Sequence, residues 1–231
     1  MRYQHVVKGI FRARPNRFIA QVEVGGIPEV VHVKNTGRCK ELLLPGVTVY
    51  LERSANPLRR TRYDLIAVEK LREGKSPLLI NMDSQVPNAA AAEWLPHSGL
   101  FSPNAVIRRE VRFGSSRFDL HVEDGTRKAF IEIKGVTLEK DGIALFPDAP
   151  TERGVKHLKE LILCRNAGCE AYLLFVIQMK EIRTFAPNDA MHFVFGEALR
   201  EAAASGVQIL AMDCRITPDS ITVADPVPVR L

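Results

Sequence analysis

The feature that most constrains this chain is a short apolar segment, Phe130-Ile131-Glu132-Ile133-Lys134, with two charges set inside it. Lys128 to Lys134 reads as a strand apolar enough to lie at the centre of a sheet, with Ile131 and Ile133 pointing into one layer. Glu132 and Lys134 then share the opposite face. Just upstream, Asp124-Gly125 offers a hairpin turn, so the strand from Arg117 to Glu123 lies beside the first and brings Asp119 to Glu132.

Two carboxylates on adjacent strands suit one hard cation, magnesium or manganese, which takes oxygen ligands and keeps further positions open. The expected ligands are Asp119, Glu132 and the Ile133 carbonyl. Glu110 is a further carboxylate that either joins them or stays solvated at the end of its element. Lys134 would stand beside the attacking water and neutralise charge developing on a phosphodiester. The same pattern also suits a solvent-facing Glu-x-Lys pair and an aspartate that only closes a turn. These residues alone leave both readings open.

The rest of the chain divides in two. Residues 1–75 carry fifteen Lys and Arg against seven Asp and Glu, whereas the remainder carries seventeen against twenty. A basic module ahead of a mildly acidic one fits a polyanion-binding domain that delivers substrate to carboxylates, and fits equally a well-solvated basic surface. Strands are expected at Phe18 to Val24, Val30 to Lys34, Val47 to Leu51 and Tyr63 to Leu71. A short helix is expected through Glu41-Leu42-Leu43, after Asn35-Thr36-Gly37. This pattern suits a five-stranded barrel of the oligonucleotide-binding type over 1–82, though other small barrels fit nearly as well. Arg38, Lys40, Arg59, Arg60 and Arg62 are its candidate phosphate contacts, and Tyr63 is either a stacking surface or a core residue.

From residue 83 to 231 the texture is α/β. Helices are expected through Asn88 to Leu95, through Ala105 to Arg109, from a Thr151 cap to about Gly168, and through Glu197 to Ala204. Strands are expected at Glu110 to Phe113, Arg117 to Glu123, Lys128 to Lys134, Tyr172 to Ile177 and Val207 to Met212. The order makes a small three-layer α/β/α core. Arg153 and Lys156 fall near a helix N-terminus, where cations and backbone N–H groups favour phosphate. His157 is packed, solvated or a base, and Asp148 is a possible cap. Gln178, at a strand end, is expected either to contact the attacking water or substrate, or to be solvated.

Four cysteines without a CxxC pair argue against a zinc site or a disulfide framework. No signal-peptide core and no long apolar run are present, so the expectation is a cytoplasmic protein without a membrane partner.

The Asp119, Glu132 and Lys134 arrangement resembles the PD-(D/E)xK nuclease superfamily, with Phe118 where that motif carries proline. Along nearly its whole length the chain is similar to sugar fermentation stimulation protein A homologues. The shared stretches include Asn35-Thr36-Gly37-Arg38, Lys40 to Gly46, Thr61-Arg62-Tyr63, Phe146 to Gly154, Lys156-His157-Leu158 and Phe175-Val176-Ile177-Gln178. The resemblance implies an oligonucleotide-binding barrel, a nuclease-like second domain, DNA as partner and a regulatory link to sugar (maltose) metabolism. Either a magnesium- or manganese-dependent nuclease or a catalytically silent DNA-binding regulator fits, as does an accessory that acts only in a complex.

Overall fold

A computed structural model describes residues 1–35 and 37–231; Thr36, of the Asn35-Thr36-Gly37 stretch ahead of the expected short helix, lies outside the described residues. The basic N-terminal part forms six strands: β1 (Val6–Ala13), β2 (Ile19–Val24), β3 (Ile27–Val33), β4 (Thr48–Arg53), β5 (Tyr63–Arg72) and β6 (Lys75–Asn81). β1 pairs antiparallel with both β2 and β4. β3 closes the ring on β5 through the parallel pairs His32 with Asp64 and Val33 with Leu65. The barrel order is therefore β1-β2-β3-β5-β4, and β6 extends it from β5. Ala20, Val22, Val31, Val33, Val49, Leu51 and Leu65 fill the interior, as the alternating pattern requires. Tyr63 is core, not a stacking surface. The expected helix at Glu41–Leu43 is a turn closed by Leu42 and Leu43 N–H donating to the Cys39 carbonyl, because Pro45-Gly46 follows too soon for a helix to propagate.

Helix α1 (Val86–Trp94), with Pro87 in its first turn, opens the second part. There follow β7 (Val106–Phe113), β8 (Ser116–Asp124), β9 (Arg127–Val136), β10 (Leu138–Lys140), β11 (Ile143–Phe146), α2 (Glu152–Asn166), β12 (Glu170–Ile177), β13 (Thr184–Pro187), α3 (Asp189–Ala204), β14 (Gln208–Thr217) and β15 (Ser220–Pro226). The main sheet runs β15-β14-β12-β9-β8-β7, and β10, β11 and β13 form a small second sheet. The β9-β12-β14 centre is parallel. Leu158 and Leu161 of α2 and Phe195 and Leu199 of α3 pack with Phe130 and Phe175 on one face. Val86, Ala90 and Ala91 of α1 pack with Ile131, Ile133 and Leu174 on the other.

Residues 105–109, expected as a helix, belong to β7, which pairs with β8 from Val106–Glu123 to Phe113–Ser116. α2 starts as read, with Thr151 Oγ1 accepting from Gly154 N–H at 3.0 Å. α3 begins earlier than its expected start at Glu197 and bends at His192. Residues at the N-terminus meet the second part: Tyr3 N–H donates to the Asp219 carbonyl at 2.8 Å. All four cysteines are free. No helix of the described residues is long and apolar enough to cross a membrane.

Candidate active site at the β8–β9 divergence

The β8–β9 ladder runs from Asp124–Arg127 to Leu120–Ile131 and ends there. Asp119 and Glu132 are the next residue on each strand, where the two chains part. With the ladder broken, the Ile133 N–H donates to Asp119 Oδ2 at 2.7 Å in place of a β8 carbonyl. Asn88 of α1 donates to Asp119 Oδ1, also at 2.7 Å. Both oxygens of this carboxylate are thus fixed in direction.

Glu132 is 3% exposed. Its Oε1 accepts from Lys134 Nζ at 2.6 Å and from His157 Nδ1 on α2. Arg153 Nε donates to His157 Nε2 at 3.3 Å, so the imidazole is read as the tautomer that carries its proton on Nδ1 and gives it to Glu132. The other oxygen, Glu132 Oε2, is buried without a hydrogen-bond partner. Such an orphan acceptor is costly and asks for a positive group.

The electrostatics point the same way. Burial and then the Glu132 charge push the Asp119 carboxyl above its usual range, against the lowering effect of the Ile133 N–H, Lys134 and Asn88. Burial also acts to raise Glu132, but His157 and Lys134 outweigh it and hold that carboxyl below its usual range. A buried and a partly buried carboxylate that repel each other, one with a free oxygen, form a donor set suited to a hard divalent cation. Among the described residues, no three of His, Cys, Asp and Glu converge as a metal-binding group, so a cation held by this pair would need its other ligands from backbone, water or substrate.

The other expected site residues divide between the neighbourhood of this pair and the remainder of the molecule. Gln178 is buried at the end of β12, and its Nε2 donates to Asn81 O, Asn81 Oδ1 and Asp83 O at 3.0 to 3.1 Å. It secures the segment joining barrel to sheet, and its donor is not free for water or substrate. Glu110 sits between the paired residues Arg109–Leu120 and Val111–Phe118, so it is the β7 residue nearest Asp119 in register. Its carboxylate is half exposed and ion-paired with Arg117 at 2.9 Å. Ile133 meets Asp119 through its N–H. In the barrel, Arg59 is held by both oxygens of Asp64 at 2.7 and 2.8 Å, and Arg62 reaches Glu29 at 3.3 Å. Arg60 is exposed beside them along a depression of about 870 Å³. Arg38 and Lys40 are exposed on a second depression of about 570 Å³, with Arg12, Arg14 and Arg17. Arg153 and Lys156 are exposed on the first turns of α2.

Comparison with known proteins follows this division. The model of the sugar fermentation stimulation protein RE domain matches residues 85–220, and that of the SfsA N-terminal OB domain matches 13–75. The chain belongs to the sugar fermentation stimulation protein family. A homologue from Desulfitobacterium hafniense strain Y51 is 55% identical over 231 residues, covering 100% of this chain and 99% of the relative. Another from Ruminiclostridium cellulolyticum is 51% identical, covering 100% of both. The structure of Pyrococcus furiosus SfsA in complex with Ca²⁺ aligns with a TM-score of 0.86 at 29% identity, over 100% of this chain and 98% of that one. The N-terminal barrel is thus an OB domain.

Two side chains of the site escape the pattern that reveals Asp119 and Glu132. His157 was open between packing and chemistry, and only the placement of α2 over β9 aims it at Glu132. Asn88 interrupts an alanine-rich helix, which marks it as unusual without naming its partner.

Proposed function

We propose that this protein binds DNA and hydrolyses phosphodiester bonds at a divalent-cation site formed by Asp119 and Glu132. The observation that carries the proposal is the buried, unpartnered Glu132 Oε2 next to a second carboxylate whose ionisation it opposes. Asp119 and Glu132 would hold the cation, magnesium or manganese, and the Ca²⁺ complex of the Pyrococcus furiosus relative supports a preference for hard cations. When bound, such an ion supplies charge stabilisation for phosphoryl transfer and acidifies water. Asn88 and the Ile133 N–H keep Asp119 pointed at the site. His157, backed by Arg153, orients Glu132 so that Oε2 stays open. Lys134 Nζ stands at Glu132 Oε1 and offers its charge to the nonbridging oxygens of a phosphate. The basic OB domain supplies the sequence-independent attraction for nucleic acid.

A second reading, a DNA-binding regulator of sugar (maltose) metabolism with a silent site, draws on a different observation. Lys134 and His157 already occupy one oxygen of Glu132, and among the described residues no group of three His, Cys, Asp or Glu side chains converges as a metal site. The discriminating experiment incubates pure protein with single- and double-stranded DNA and RNA, in magnesium, manganese or EDTA, beside Glu132→Gln. Cation-dependent cleavage that falls at least about 100-fold in the variant supports the first reading. Cleavage in EDTA, or equal cleavage by the variant, contradicts it. DNA binding without cleavage by either protein supports the second.

A further inference from the structure

The second domain is mildly acidic as a whole, yet Val106 to Arg117 holds four arginines and a single acidic residue. Most of this stretch is β7, the edge strand of the main sheet. In a regular strand Arg109 and Arg112, three residues apart, would face opposite sides. Here they do not. Glu110, with a φ of 61°, interrupts the extended conformation, and both strands of the ribbon change face at that level. Ile107, Leu120 and Val122 pack on the α1 side of the sheet, whereas Val111, Phe113 and Phe118 pack on the α2 side. The residues between them turn accordingly. Arg109, in phase with Ile107, and Arg112 and Arg117, out of phase with Val111 and Phe118, all lie on the α1 side. Asp119 lies there too, bonded to Asn88 of α1.

Arg112 and Arg117 are direct cross-strand partners, a like-charge pairing that lowers the stability of an antiparallel ribbon. Arg117 is offset by Glu110, but Arg109 and Arg112 are exposed and make no ion pair among the described residues. Guanidinium groups placed against one another on an open edge, beside two carboxylates that repel a polyanion, have a use if a phosphate chain bridges them.

We propose that the β7 edge is a phosphate-binding rim, in which Arg109, Arg112 and Arg117 hold the sugar-phosphate backbone of a nucleic-acid strand alongside Asp119. The proposal rests on the phosphodiesterase reading for its choice of ligand. The rim supplies contacts that the OB domain does not, and it sets where along the strand the Asp119–Glu132 pair meets a phosphate.

The test measures fluorescence anisotropy of labelled single- and double-stranded DNA in EDTA across a salt series, for the full chain and for the double variant Arg109→Ser, Arg112→Ser. Each lost phosphate contact reduces the slope of log affinity against log salt by about 0.9 for duplex and about 0.7 for single strands. Loss of both should therefore flatten the slope by roughly 1.4 to 1.8 and weaken binding about ten- to a hundredfold at moderate salt. The double variant Arg109→Lys, Arg112→Lys keeps the charge and should keep most of the slope. The melting temperature of the serine variant should hold or rise, because a repulsive pair has been removed. Unchanged slope and affinity in the serine variant overturn the rim, as does a wild-type chain that binds neither DNA. If the variant loses binding while the wild type fails to cleave with magnesium or manganese, the rim stands and the enzymatic reading fails.

Discussion

At the scale of residues, the site is a balance of unequal carboxylates. The raised Asp119 carboxyl holds its proton more tightly in the folded chain than in the unfolded one. Its contribution to stability is thus fully present below the unfolded carboxyl range and is lost as pH rises through the higher folded value. Asp119→Asn removes that loss while an amide oxygen can still accept the Ile133 N–H and Asn88 can turn its own amide to suit. In EDTA, the variant should melt above the wild type at neutral pH, and the gap should close as pH falls through the raised Asp119 range. Scanning calorimetry over a pH series checks this; a variant that melts lower at neutral pH contradicts the proposed repulsion. Asp119, Glu132 and Lys134 were legible because charges inside an apolar strand demand an explanation. Arg59 was legible as a basic residue but not as the partner of buried Asp64, since that pairing depends on how the loop after β4 folds back.

Elements were legible where one period ran without interruption. β9 and β12 are apolar and continuous, and α2 shows both its cap and its stripe. β7 was not, because the change of face at Glu110 leaves Ile107 and Val111 four apart, the spacing of a helix. β10, β11 and β13 span three or four residues each, too few for alternation to register. β1 teaches a different lesson. It is paired on both edges, and a Cβ at Gly9 would lie 2.6 Å from Val22 Cγ1 and 3.1 Å from the Glu23 carbonyl oxygen. Gly9→Val should therefore destabilise the chain by about 1–3 kcal/mol through overpacking, read as a lower urea midpoint. An unchanged midpoint would mean that β1 shifts freely, contrary to its double pairing.

At the scale of the molecule, the division into a basic barrel and an α/β domain was legible from charge and texture, but the joint between them was not. Asn35 Nδ2 donates to the Met82 carbonyl at 2.9 Å, Lys34 pairs with Asp83 at 3.0 Å, and Gln178 gathers Asn81 and Asp83 from the far side. α1 and its Asn88 start directly after this knot. Gln178→Ala should leave buried acceptors unpaired and destabilise the chain by roughly 1–3 kcal/mol, while cation affinity changes far less than in Glu132→Gln. Urea unfolding and a manganese titration of the same variant separate the two effects, and an affinity loss as large as that of Glu132→Gln would return Gln178 to the site.

Asp119 and Glu132 are proposed to hold one divalent cation together, and both functional readings can be measured against that site. Isothermal titration of the full chain with manganese, beside Asp119→Asn and Glu132→Gln, tests it most directly. The wild type should bind one cation per chain, and each variant should bind it at least about tenfold more weakly. Wild-type affinity and stoichiometry in both variants would contradict it.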